Sequence, residues 1–88
     1  MIAQSKKLLF DDIVTITYDY LGPAAERFIT REVKTHLGKT PEQLTRSDIP
    51  VLLDWSKIAI ALLTDDKQIV RDFSRRVQSA ANSYHMAR

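Results

Sequence analysis

The sequence predicts an all-α fold: a four-helix bundle with one short extra helical turn between its second and third helices. Three observations carry that prediction. Apolar residues recur at three- and four-residue spacing along most of the 88 residues. Only 2 Gly and 3 Pro are present, too few for the tight turns of a many-stranded sheet. A hydrophobic fraction of 44% and a charged fraction of 27% describe an ordinary globular domain, and the length suits one core spanning 1–88.

The first helix is expected to start near Ser5, a good N-cap residue, and to run to Leu21. Leu9, Ile13, Ile16 and Tyr20 form its inward stripe, widened by Phe10, Val14 and Leu21, with Asp12, Thr15 and Asp19 on the far side. The run IVTITY has the β-branched character of a strand, but the surrounding positions keep helical phase. Gly22-Pro23 then reads as a corner. Gly can take the left-handed conformation past a helix end, and Pro suits the first position of the next helix. The second helix is expected from Pro23 to Leu37, burying Ala25, Phe28, Ile29, Val33 and Leu37, with Gly38 closing it.

Thr40-Pro41 restarts the chain for a single turn through Leu44. Thr45 or Ser47 is expected to cap the third helix, whose Pro50 is tolerated in a first turn. Val51, Leu52, Leu53, Trp55, Ile58, Ile60, Leu62 and Leu63 surround that helix on nearly every side. A helix apolar all round is expected to be buried all round, either centrally or against another chain. Thr64 followed by Asp65 and Asp66 predicts the start of a fourth helix, with inward residues Ile69, Phe73, Val77, Ala80 and Tyr84.

Little in this chain is equipped for catalysis. With no cysteine, a disulfide framework, a thiolate metal site and a cysteine nucleophile are all excluded. His36 and His85 lack the second histidine or carboxylate that a helical metal site needs. His36 instead suits the negative end of the second helix, one turn after Glu32. Asp11-Asp12 and Asp65-Asp66 are adjacent pairs whose side chains diverge on a helix, and no glycine-rich phosphate loop occurs. The expectation is a protein that is no enzyme and holds no metal or cofactor.

Charge and apolar pattern point to surfaces instead. The formal charge is only +2, yet Lys67, Arg71 and Arg75 step along the fourth helix and Arg27, Arg31 and Lys34 along the second. Solvated faces are the plain reading of such lines; a phosphate-contacting surface for nucleic acid is the alternative. No aromatics interleave with them for base stacking, so sequence-specific reading is not expected. Val51, Trp55, Ile58 and Leu62 follow one another at spacings of four, three and four residues along one side of the third helix. Together with Leu8 and Tyr18, which fall outside the first helix's main stripe, they form the candidate interface. Trp55 would otherwise be read as core. The longest apolar stretch, Ile49 to Leu63, is interrupted by Asp54, Ser56 and Lys57 and is too short to span a bilayer. No signal-peptide core is evident, so a cytoplasmic location without membrane contact is expected.

The run Tyr20-Leu21-Gly22-Pro23-Ala24-Ala25, followed by an amphipathic and then a Leu-rich helix, resembles the small helical domains with a Gly-Pro-x-Ala signature attached to bacterial signalling proteins such as response regulators and serine/threonine kinases. The matching residues are Gly22, Pro23 and Ala25. The resemblance implies a regulatory or assembly module without catalysis. Residues and resemblance together lead to the expectation of a protein-binding domain whose partner includes a second copy of itself, a homodimer.

Overall fold

The computed structural model describes residues 8–83, and the expected roles of Ser5, Tyr84 and His85 lie outside them. The chain is all-α, with no strand among the described residues. Three long helices carry it: α1 (Leu9–Leu21), α3 (Ile49–Leu63) and α4 (Lys67–Ser83). The shorter α2 (Ala25–Glu32) is extended by a π-helical turn over Val33–Leu37. α1 packs against α2 and α4, and α3 against α4 and the end of α2, closing a ring around one apolar cluster.

Leu8, not Ser5, precedes the first turn of α1, and its N–H donates to the Asp11 carboxylate at 3.2 Å. An acid at the third helical position thus supplies the cap that Ser5 was expected to give. The β-branched run remains helical because its hydroxyls are satisfied within the helix. Thr15 and Thr17 donate to the carbonyls of Asp11 and Ile13 at 2.9 and 2.7 Å. Thr17 is fully buried with Leu9, Phe10 and Ile13, so the inward stripe is turned from the expected one, and Ile16 and Tyr20 are only partly covered.

Gly22 turns the chain with φ 63° and ψ −143°, a positive φ whose ψ departs from the expected left-handed helical value. Pro23 begins a 3₁₀ turn over Gly22–Ala24, and Ala25 enters α2 fully buried. The expected helix from Pro23 to Leu37 is therefore 3₁₀, α and π in succession. Gly38 closes it in the left-handed region at φ 65°, ψ 32°.

Two 3₁₀ turns, Pro41–Gln43 and Arg46–Asp48, lead into α3. Asp48 holds this segment together. Its Oδ2 accepts from Lys39 Nζ at 2.7 Å, from the Thr45 N–H at 2.9 Å and from Thr45 Oγ1 at 3.0 Å. Burial pushes the Asp48 carboxyl up, but the Lys39 and Thr45 hydrogen bonds outweigh it and hold the group below its ordinary 3.8. At the next junction Asp66, rather than Thr64, caps α4, its Oδ1 accepting from the Gln68 N–H at 2.9 Å. Thr64 ends α3 in an extended conformation and accepts from the Asp66 N–H through its hydroxyl at 3.1 Å. On α4 the buried residues are Phe73, Val77 and Ala81, with Ile69 and Ala80 partly covered.

α1 and α4 are joined by a polar chain that starts at Tyr20. The Tyr20 hydroxyl donates to Asp72 Oδ2 at 2.5 Å and accepts from Arg76 Nη1 at 3.1 Å, while its ring meets Phe73 edge-on at 5.5 Å. Arg76 also donates to Asp19 at 2.7 Å, and Arg75 pairs with Asp72 at 2.7 Å. Burial and the Asp72 hydrogen bond push the Tyr20 hydroxyl up; the same bond, with Arg75, holds the Asp72 carboxyl down.

A Cβ at Gly22 or Gly38 would meet no atom within 4 Å, so any loss on substitution comes from the backbone conformation alone. Gly38→Ala is expected to destabilise by about 1 kcal/mol and Gly22→Ala by about 2–3, because the latter borders a region open essentially to glycine. Denaturant unfolding measures both. Asp48→Asn is expected to lose about 1–2 kcal/mol at pH 7 by weakening the cap and the Lys39 pair. Because the folded carboxyl sits below its ordinary 3.8, its stabilisation is complete above that value and fades as pH falls through the lower folded value. Stabilities of parent and variant measured against pH should therefore converge at the acid end.

Candidate functional site

α3 has two apolar sides, and the ring of helices covers one. Ile49, Leu52, Leu53, Ser56 and Ile60 are buried, as helical spacing requires of a single inward side. Opposite them Val51 is 43% exposed, Trp55 44%, Ile58 55% and Leu62 82%. The expectation that this helix is buried all round is thus corrected: its two immediate neighbours reach only half of its circumference. Trp55 is likewise no core residue. Leu63, in phase with the buried side, is 67% exposed at the end of the helix.

The edge of this face toward α2 is built by the π turn. His36 lies flat on Trp55, the ring centroids 4.0 Å apart and the planes within 7°. Its Nε2 stands 3.6 Å from Glu32 Oε1, one turn back on a side chain that is largely buried. Glu32 Oε1 has no hydrogen-bond partner among the described residues, and the 3.6 Å approach of His36 is too long to be one. The Glu32–His36 spacing was legible as helix-end electrostatics; the stacking on Trp55 joins residues far apart in sequence, and no local signal announces it.

The two candidate residues of α1 do not join this face as expected. Leu8 is partly buried against the core cluster, so its reading as a surface residue is corrected: the chain entering α1 folds it inward. Tyr18 is 55% exposed on α1, whose main neighbours are α2 and α4 rather than α3. The interface residues expected from the sequence therefore divide, with the four of α3 on one stripe and Tyr18 elsewhere.

The basic lines also divide. Lys67, Arg71 and Arg75 are all exposed, but Arg75 is paired with Asp72 and Arg71 donates to Gln68 at 3.0 Å. Lys57 of α3 borders the same groove as Lys67 and Arg71, a grouping across two helices that the sequence does not display. Arg27, Arg31 and Lys34 border a groove on α2 with Pro23, Glu26 and Thr30, and make no ion pair among the described residues. Among the described residues no group of three potential metal-binding side chains converges, and no helix is long and apolar enough to cross a membrane.

The chain matches no family model, no curated protein and no solved structure. The site is read from its own residues.

His36→Ala should uncover the stacked face of Trp55. Loss of the ring contact is expected to destabilise by about 0.5–1.5 kcal/mol and to raise acrylamide quenching of the tryptophan about twofold. Trp55 is the one tryptophan of the chain, so its fluorescence reports this site without interference.

Proposed function

We propose that this chain is a non-catalytic protein-interaction module, a small four-helix bundle that associates with a second copy of itself through the outer face of α3. The observation that carries the reading is the stripe Val51, Trp55, Ile58 and Leu62, exposed on a helix whose opposite side is core. Scattered single apolar residues need no explanation, but four aligned on one stripe mark a contact surface.

The size of the stripe fits a modest dimer. The four exposed fractions amount to about two whole side chains per copy, which at about 1.5–3 kcal/mol each gives about 6–12 kcal/mol for a twofold pair. Loss of rotational and translational freedom on association opposes this with about 4–15 kcal/mol. The two terms are of similar size, so the stripe alone supports weak association that grows with concentration. A self-complementary patch is also what a twofold contact requires.

The resemblance to signalling-associated helical modules rests on the run Gly22-Pro23-Ala24-Ala25. On that footing the dimer is a regulatory or assembly element of a bacterial signalling system, acting in the cytoplasm. The nucleic-acid alternative is favoured by the line Arg27, Arg31 and Lys34 on α2, which makes no ion pair among the described residues. Glu26 in the same groove and the overall charge of +2 oppose strong phosphate binding.

Sedimentation across low to high micromolar concentration is expected to move from 10.1 kDa toward twice that mass. Ile58→Glu and Leu62→Glu should each keep the helical circular dichroism and thermal midpoint of the fold while holding the chain monomeric. A parent that stays monomeric at hundreds of micromolar, or that binds arbitrary duplex tightly in physiological salt, would overturn the reading.

A further inference from the structure

We infer that the groove between α3 and α4 binds an acidic amphipathic helix of a partner protein, its carboxylates on a rim of three cations and an apolar side chain on the floor. The groove lies on the side of α3 toward α4, away from the exposed stripe, so this site is separate from the self-association surface proposed above.

The floor is small and apolar. Ala61 of α3 and Val70 and Ser74 of α4 line a groove of about 330 Å³. The Ser74 hydroxyl donates to the Val70 carbonyl at 2.9 Å, so the floor's hydroxyl is spent inside its own helix. The trough continues toward the turn between the helices, where Ala61, Thr64, Asp65, Lys67 and Val70 line an adjoining hollow. A trough between two packed helices suits a further helix, as α1 already packs on both α2 and α4.

The rim decides which kind of helix fits. Lys67 and Arg71 stand one turn apart on the α4 wall, and Lys57 stands on the α3 wall. All three are exposed, and none makes an ion pair among the described residues. Arg71 donates only to the neutral amide oxygen of Gln68, at 3.0 Å. Lys39, Arg75 and Arg76, by contrast, are each matched with an aspartate. Asp65, in the hollow at the turn, makes no ion pair with Lys67 or any other residue described.

Three like charges around one trough repel one another, and anions set over the trough relieve that repulsion. The long Lys and Arg stems add to the apolar walls while their charged heads stay in water. Acids one turn apart on an incoming helix match the spacing of Lys67 and Arg71, and an apolar residue between them meets Ala61 and Val70. A nucleic-acid strand fits less well, because no aromatic side chain lines the groove to stack a base. The line Arg27, Arg31 and Lys34 offers no such trough, since everything bordering its groove comes from the one segment 23–34 and no second helix supplies a wall.

The probe is a fluorescein-labelled, helix-forming peptide of about 15 residues, with glutamates one turn apart on both edges of a line of leucines. Anisotropy titration is expected to show binding at tens to hundreds of micromolar, weakening severalfold as salt rises from about 50 to about 300 mM. Glu→Gln and Leu→Ser counterparts of the peptide should bind about tenfold or more weakly. Lys57→Gln, Lys67→Gln and Arg71→Gln should each lower affinity about three- to tenfold while keeping the thermal midpoint. Ala61→Gln, which raises the floor with an uncharged stem, should lower it at least as much. Replacing Arg27, Arg31 and Lys34 together by Gln should change affinity less than about twofold, which separates the groove from general attraction to a basic chain. An equal loss in that triple variant would overturn the site, and so would equal affinity for the Glu and Gln peptides or no binding below about 1 mM. Tighter binding of arbitrary duplex RNA through the same three cations would overturn the peptide reading in favour of phosphate contact. Sedimentation reads the stripe and this titration reads the groove, so either proposal can fail without the other.

Discussion

A helix with two neighbours can bury only one of its sides, and in this chain every helix has two main neighbours. α1 lies between α2 and α4, and α3 between α4 and the end of α2. For α1, α2 and α4 the limit is harmless, since each is apolar on one side and polar on the other. α3 is apolar on both. Its inner side fills the core with Ile49, Leu52, Leu53 and Ile60, and its outer side is left in water because no further element exists among the described residues to cover it. The excess is therefore a property of the ring arrangement itself. Nothing on the inner side depends on the outer side, so the exposed stripe stands on a packed scaffold rather than on a loop.

The charged residues are sorted by the same geometry. Where α1 crosses α4, Asp19, Tyr20, Asp72, Arg75 and Arg76 neutralise one another through hydrogen bonds of 2.5–3.1 Å. Those bonds are half-exposed and each contributes little to stability, but their directions fix which residues of α1 face which of α4. Around α3 the pattern reverses. Asp54 and Lys57 make no ion pair among the described residues, and neither do Arg27, Arg31 and Lys34 on α2. One flank is electrostatically closed, and the flank that carries the apolar stripe is open.

Much of the fold was legible because its punctuation is local. Gly38 and Thr40-Pro41 act within a few residues of themselves, and the structure places a helix end and a 3₁₀ turn there, whereas Thr45, expected to cap the third helix, opens the 3₁₀ turn Arg46–Asp48 ahead of it and Asp48 stands at the α3 N-cap. The errors arose where two local solutions compete or where a distant partner decides. Thr64 is a good cap by type, but Asp66 offers a charged oxygen to the Gln68 N–H. Thr17 is polar by type yet buried, because its hydroxyl is satisfied by the Ile13 carbonyl and its methyl behaves as core. The outer stripe of α3 was visible as a pattern of four apolar residues. That it is exposed, and that His36 stacks against it, depends on how α2 and α3 meet, which no window of sequence contains.

What decides which apolar side of α3 turns inward is then a question of charge rather than of hydrophobicity. Turning the helix halfway round would bury Val51, Trp55, Ile58 and Leu62, a larger apolar load than the present inner side with its Ser56, whose hydroxyl lacks a hydrogen bond among the described residues. It would also carry Asp54 toward the core with no partner shown for it there. An unpaired buried charge costs several kcal/mol, more than one extra methylene or indole edge returns. Asp54 therefore works against the alternative packing while Asp48, tied to Lys39 and Thr45 at the helix start, holds the observed one in place. Ser56, small and central on the inner side, permits close approach where Trp55 would hold neighbours apart. The bulkiest residue of the chain is left outside because its immediate neighbour in sequence cannot go in.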